Sequence, residues 1–220
     1  MDHIVRSKPT ESLARGRDAD VYALDTHTVL RRYRRRNVPA NELAVMRHVR
    51  EHGYPAPEIV SVDGADLVLE RASGPTMRVD LARRPWTLLR HARLLADLHR
   101  RLHRISAPEW LPAIGPGGAV LHLDLHPENV MLHRKDVLVI DWANARAGHW
   151  ADDVAQTVVI LAAADLSRAT KLALRAFLAI YLAGFDRAIV RQHLPAAIER
   201  RMADPNMTAR ERELIPLVRV

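Results

Sequence analysis

The chain has 220 residues with 33 basic and 26 acidic side chains, a formal charge of +7 when histidine is neutral. Hydrophobic residues at 48% and charged residues at 27% suit a folded domain with a core and exclude a disordered tail or a coiled coil. Cysteine is absent, which removes disulfide scaffolds, thiolate zinc sites and cysteine nucleophiles together.

The N-terminal stretch MDHIVRSKPTESLARGRD has no apolar core of the kind a secretory leader needs. The longest uncharged apolar run, residues 176–185, is far shorter than the roughly 20 residues that cross a bilayer. The expectation is a soluble cytoplasmic protein without a membrane partner. Lysine occurs only at Lys8, Lys135 and Lys171, so nearly all the basic charge is arginine. No third of the chain is a polyelectrolyte block, and charge alone does not make this a nucleic-acid protein.

In chain order, residues 10–36 read as strands: 20–24 alternate, Asp25-Thr26-His27 form a turn, and 28–30 resume extension. Residues 40–51 switch to helical spacing, with Leu43, Val45, Met46 and Val49 apolar and Gly53 as the stop. Residues 59–62 and 67–70 are a second strand pair around Asp63-Gly64. Ala72-Ser73-Gly74-Pro75 has turn chemistry, and a lobe boundary is placed there, with an N-lobe over 1–72 and a C-lobe over 73–220. A helix is predicted over 86–105, a loop at Gly115-Pro116-Gly117-Gly118 without dinucleotide-binding spacing, and a hairpin from 130–132 and 137–140. Three helices follow, over 151–164, 167–184 and 186–202. A strand-rich first third and a helical remainder predict an α+β protein of two lobes with a cleft between them.

The informative stretch is Val120-Leu121-His122-Leu123-Asp124-Leu125-His126-Pro127-Glu128-Asn129-Val130, followed by Val139-Ile140-Asp141-Trp142. Apolar strand fragments frame a polar loop. A hairpin returns its ends to one place, so Asn129 and Asp141 are expected to be neighbours. One amide and one carboxylate oxygen suit Mg²⁺, which keeps waters and completes its shell with phosphate. A separate aspartate, Asp124, can orient or deprotonate a hydroxyl nucleophile.

The H-x-D-x-x-x-x-N spacing of His122, Asp124 and Asn129, with Ile140-Asp141-Trp142 beyond it, resembles the catalytic and metal-binding segments of the aminoglycoside phosphotransferase family, within the protein-kinase-like fold. His126-Pro127 is similar to the pair common in that family's loop, and Trp142 stands where protein kinases carry Phe-Gly. The resemblance implies ATP and Mg²⁺ as cofactors and a small-molecule hydroxyl as acceptor, with Asp124 catalytic and Asn129 and Asp141 on the metal. It also implies that Gly16, in Ala14-Arg15-Gly16-Arg17-Asp18-Ala19, lies in a phosphate-covering loop, though an ordinary hairpin also accounts for it. Arg31 takes the place of the usual phosphate-binding lysine, keeping the charge with a different, forked geometry. Glu42 looks like its carboxylate partner; it reads equally as a solvated first-turn glutamate favoured by the helix dipole. Backbone groups from Glu70 to Ala72 would hold adenine, an assignment by position. His122 and Asp153 are expected to brace the loop, with Asp152 an alternative to Asp153.

Other readings are blander. His99 and His103, four apart among arginines, are expected on a solvated helix face rather than as a zinc pair. The run Arg31-Arg32-Tyr33-Arg34-Arg35-Arg36 could be an RNA patch, but strand alternation sends neighbours to opposite faces. Residues 151–220 hold 8 acidic and 10 basic groups, which argues mildly against a polycationic acceptor and leaves a sugar or amino alcohol as plausible as an aminoglycoside. The two competing readings are an atypical protein kinase and a non-catalytic nucleotide- or RNA-binding pseudokinase.

Overall fold

The computed structural model describes residues 11–16, 18–134, 136–164, 166–204 and 207–215. Arg17 of the phosphate-covering segment, Lys135 of the hairpin turn and the first ten residues, searched for a leader, lie outside them. Two compact units are present: one runs to Pro75 and adds Val130–Ala143, the other comprises Thr76–Asn129 and the described residues from Asn144 onward.

The first unit is built on a five-stranded antiparallel sheet in the order β1-β2-β3-β5-β4, from β1 (Glu11–Arg15), β2 (Ala19–Ala23), β3 (Thr28–Tyr33), β4 (Ile59–Asp63) and β5 (Asp66–Glu70). Gly16 closes the β1–β2 turn by donating its amide to the Ala19 carbonyl at 2.9 Å. A Cβ there would meet that oxygen at 2.8 Å, so a larger residue would open the turn. β3 lies centrally, with Val21 opposite Arg31 on one side and Leu67 opposite Arg31 on the other. Helix α1 (Ala40–Glu51) buries Glu42, Val45, Met46 and Val49, the i, i+3, i+4, i+7 stripe of an inward face. It stops at Gly53, whose φ of +75° suits glycine and whose neighbour Tyr54 donates its amide back to Val49.

The hairpin of β7 (Val130–His133) and β8 (Asp136–Val139) belongs to the same unit, with Val130 opposite Val139. It is fastened at two points. Val139 donates its amide to Pro55, while Gly74 donates to Leu132 and Leu132 to Pro75. A Cβ on Gly74 would lie 2.9 Å from the Leu132 oxygen, which explains the glycine at this crossing. The Trp142 ring, buried against Tyr54 edge-on at 5.6 Å, donates its indole N–H to Val139.

The second unit is mostly helical: α2 (Met77–Arg83), α3 (Leu88–Leu102), α4 (Trp150–Ala162), α5 (Arg168–Leu182), α6 (Arg187–Met202) and α7 (Ala209–Leu214), with a short ladder of β6 (Ala119–Leu121) against β9 (Arg146–Gly148). α4 is buried on every side from Ala151 to Val159 and packs on α6, while α3 packs on α5. The protein is therefore α+β, as its sequence predicts. α2, α7 and the β6–β9 ladder are additions, and the helix predicted over 86–105 begins as a 3-10 turn at Pro85–Thr87. No described helix is long and apolar enough to cross a membrane.

Candidate active site

Within the first unit the site is a charge network on β3. Arg31 donates from Nη1 to Glu42 Oε1 at 2.7 Å and from Nη2 to Asp141 Oδ1 at 2.9 Å. Its side chain is 17% exposed and that of Glu42 is fully buried, so Glu42 is a core carboxylate and not the solvated first-turn residue that was its other reading. The second oxygen of Glu42 accepts from the Tyr33 hydroxyl. Arg31 also lies over the Tyr33 ring at 5.1 Å, and Arg36 faces that ring at 5.8 Å.

Burial pushes the Glu42 carboxyl above its ordinary value, only partly offset by Arg31 and the Tyr33 hydrogen bond. Burial likewise opposes the charge on Arg31, but Glu42 and Asp141 overcome it and hold the guanidinium cationic. Asp141 itself has φ +68°, a left-handed conformation that aspartate tolerates better than most residues. Its side chain is 42% exposed, and only Oδ1 has a partner among the described residues.

Three more arginines of the run are met by carboxylates, Arg32 by Asp66, Arg34 by Asp20 and Arg36 by Asp18, while Arg35 is exposed. At the end of β5, the amide of Glu70 is spent on the Glu58 carbonyl and that of Arg71 on His27. The amide of Ala72 has no partner among the described residues. The Glu70 side chain faces Arg50 and His133.

In the second unit the loop after β6 is held from both flanks by one face of α4. Asp153 accepts the amides of His122 at 3.1 Å and Leu123 at 2.7 Å, and one helical turn later Thr157 donates to the Leu125 carbonyl at 2.8 Å. Asp124 lies between these anchors. Leu123 sits at φ +59°, a conformation that costs a non-glycine residue ~1–2 kcal/mol and that the Asp153 bonds hold in place. The Asp124 amide donates to His122 Nδ1 at 3.3 Å. Asn129 donates its Nδ2 to both the backbone oxygen and Oδ2 of Asp124, at 2.8 and 3.1 Å, while Oδ1 of Asp124 faces His126 at 3.4 Å. Burial raises the Asp124 carboxyl, but the His126 bond and the positive charges around it, Arg201 included, leave it below its usual range and ionised.

The braces extend into α3. His103 meets Asp153 at 3.0 Å and His99 meets Thr157 at 3.1 Å, an i, i+4 pair on each helix. This corrects the solvated-face expectation: His99 is buried, because 95, 98, 99 and 102 fall on the apolar stripe of α3, and His103, at the helix C-cap, turns its largely covered ring to Asp153. Burial holds His99 neutral, its pKa lowered to about 4. Asp153 is fully buried too. Burial pushes its carboxyl up, but the His103 hydrogen bond and the His99 and His122 rings outweigh it, leaving it strongly acidic. Asp152, the alternative, turns instead to His193 and Arg200. Tyr33 was not singled out from sequence, although its position two residues from Arg31 puts both on one strand face.

Among the described residues no three His, Cys, Asp or Glu groups cluster to hold a metal. With Nδ2 of Asn129 committed to Asp124, its Oδ1 remains an acceptor, as does Oδ2 of Asp141. Both are hard oxygen donors of the kind Mg²⁺ takes alongside phosphate and water.

No curated protein matches the sequence. Among solved structures, an APH(2'')-IIa in a ternary complex with streptomycin and ATP superposes with a TM-score of 0.63 at 13% identity, covering 90% of this chain and 84% of the other. A choline/ethanolamine kinase family protein from Mesorhizobium loti does so at 0.52 and 16%, covering 96% and 93%. An ethanolamine kinase from Plasmodium vivax does so at 0.58 and 12%, covering 93% and 80%. These likenesses give the protein-kinase-like fold. In sequence, the model of the phosphotransferase enzyme family matches residues 10–118 and 61–193, which together span most of the protein, and the chain belongs to that family.

Proposed function

We propose that this phosphotransferase moves the γ-phosphate of ATP, with Mg²⁺, to a hydroxyl of a small molecule. The observation that carries the reading is Arg31, a buried cation anchored by Glu42 and reaching Asp141 with its free arm. Permanently charged and forked, it suits a nucleotide phosphate. The Ala72 amide would offer a donor to an adenine edge, and the Gly16 turn would lie over the phosphates. Asn129 and Asp141, which bound one hairpin, would hold the metal through Oδ1 and Oδ2. When bound, Mg²⁺ neutralises charge developing on the transferred phosphoryl group. Asp124, ionised and held between two anchors, orients the acceptor hydroxyl and takes its proton.

Most acidic side chains described in the C-terminal helices support an acceptor that is not a polycation, Glu199 alone among them being exposed with neither an ion pair nor a capping role. Asp152 is paired with Arg200, Asp153 with His103, Asp204 and Glu211 with Arg201, and Glu213 with Arg210, while Asp186 caps α6. Carboxylates so engaged have little left to attract amines. A sugar or an amino alcohol is the acceptor class favoured here.

The test is thermal shift with Mg-ATP. Wild type is expected to be stabilised, by RT ln(1 + [L]/Kd), and Asp141→Asn to lose the Mg-dependent part while keeping its own melting temperature. Equal shifts in both proteins would overturn the metal assignment.

A further inference from the structure

We infer that Tyr33 is a positioning residue for nucleotide binding, its hydroxyl occupying one oxygen of Glu42 so that Arg31 cannot close a two-pronged fork on that carboxylate. The inference rests on the reading of Arg31 as the phosphate-binding cation. A guanidinium facing a free carboxylate prefers two parallel N–H···O bonds, and such a fork uses both amino groups on one partner. Here the fork is blocked. Oε2 of Glu42 is taken by the phenol, Arg31 reaches Oε1 with Nη1 alone, and Nη2 is turned to Asp141 Oδ1. A lysine at position 31 would have a single ammonium and no fork to suppress. The arginine found there creates a need that the phenol meets.

The geometry assigns each part of Tyr33 its own task. The residue is 3% exposed, so its hydroxyl is shielded from bulk water. The ring lies under the Arg31 guanidinium at 5.1 Å and supports it from one face. Because β3 alternates, residues 31 and 33 share the face towards Glu42 without strain. With the phenol absent, Oε2 would be a buried, unsatisfied carboxylate oxygen, and Nη2 of Arg31, whose Nη1 already holds the other oxygen, is a cation able to satisfy it. The arm that reaches outward would then be drawn in.

The experiment is a double-mutant cycle read by calorimetric titration with Mg-ADP, with the unfolding midpoint of each variant recorded at the same pH. Tyr33→Phe keeps the ring and removes only the hydroxyl. It is expected to weaken Mg-ADP about tenfold, the scale of one hydrogen bond to a charged group. In an Arg31→Lys background the same change is expected to cost less than about twofold, because no fork can form. Stability is expected to fall similarly in both backgrounds, so a merely structural tyrosine would show the stability loss without the coupling in affinity. Equal affinity losses in the two backgrounds, or none in either, would overturn the inference. If Tyr33→Phe does not stay folded, Glu42→Gln decides: an amide has one acceptor oxygen and cannot be forked, so Mg-ADP affinity is expected to stay within about threefold. A tenfold loss there would mean that Glu42's charge governs and not the blocked fork. Arg31→Ala separates the two layers. Unchanged Mg-ADP affinity in that variant overturns the phosphate-binding reading itself, whereas a loss there beside an inert Tyr33→Phe overturns only the role of Tyr33.

Discussion

Asp153→Ala is the perturbation with the largest expected consequence. The carboxylate is fully buried and accepts from three donors, the amides of His122 and Leu123 and the ring of His103. Alanine leaves all three without a partner. A buried unsatisfied donor costs about 1–3 kcal/mol, and removing one member of a buried charged pair about 3–5 kcal/mol. The costs overlap, so about 3–5 kcal/mol is the expected total, against a stability of about 5–15 kcal/mol for a typical domain. With a urea slope of about 2 kcal/mol/M, the midpoint is expected to fall by about 2 M with the slope unchanged. Asp153→Asn keeps one oxygen, enough for the 2.7 Å bond from Leu123, and is expected to lose only about half as much. The left-handed Leu123 is released only in the alanine variant, so phosphotransfer is expected to suffer more there than stability alone explains. A midpoint shift below about 0.5 M for alanine, or asparagine as damaging as alanine, would refute the account of Asp153 as a three-way acceptor.

Three other outcomes are expected. Asp124→Asn can still accept from Asn129, so Mg-ATP affinity is expected to hold while turnover drops by about 10²–10⁴; near-normal turnover on a suitable acceptor would end the catalytic assignment. Arg31→Ala is expected to weaken nucleotide binding and Arg35→Ala, exposed and without an ion pair among the described residues, to leave it unchanged; filter binding or calorimetry with ATP ranks them, and the opposite order would show that Arg35 faces the phosphates. His99 has a pKa lowered to about 4, against about 6.5 when unfolded, so the unfolded chain binds the extra proton and stability falls as pH drops from 6.5 to 4, by about 3 kcal/mol. Asp153, held below the carboxylate range, adds its loss only under about pH 4. Urea midpoints across that span in wild type and His99→Gln test this, and an undiminished slope in the variant would count against it.

How much of this was legible in the sequence varies with the range of the interactions. The hairpin over 130–139 and helix α1 announce themselves through local period and turn chemistry, and the structure has both. The loop from His122 to Asn129 is recognisable because its polar residues sit at fixed spacing between apolar fragments. α2 escapes notice because its seven residues are too few for a period to emerge, and its N-cap, Thr76, follows immediately on the Gly74-Pro75 break. The β6–β9 ladder joins three-residue strands far apart in sequence, and so leaves no local mark. His99 was misplaced for a different reason. Arginines at 93, 100 and 104 dominate the composition around it, while the spacing from Leu95 and Leu102 already puts it on the inward stripe. The role of Tyr33 depends on which oxygen of Glu42 is free, and a one-dimensional pattern does not encode that.

The first unit takes Val130–Ala143 from beyond the start of the second, and this sets an order of events during translation. When the sheet strands leave the ribosome, Pro55, Tyr54 and Arg31 are present, but Val139, Trp142 and Asp141 are still to be made. At about 5–20 residues per second the nascent sheet waits roughly 3–14 s for its hairpin. Over that interval Tyr54 lacks the Trp142 ring and Arg31, though it can pair with Glu42, lacks Asp141, and the sheet is open to wrong strand partners. The later unit grows in the meantime. A truncated chain ending at Pro75 is therefore expected to require a chaperone or to aggregate, whereas one extended through Ala143 has every residue its sheet unit needs.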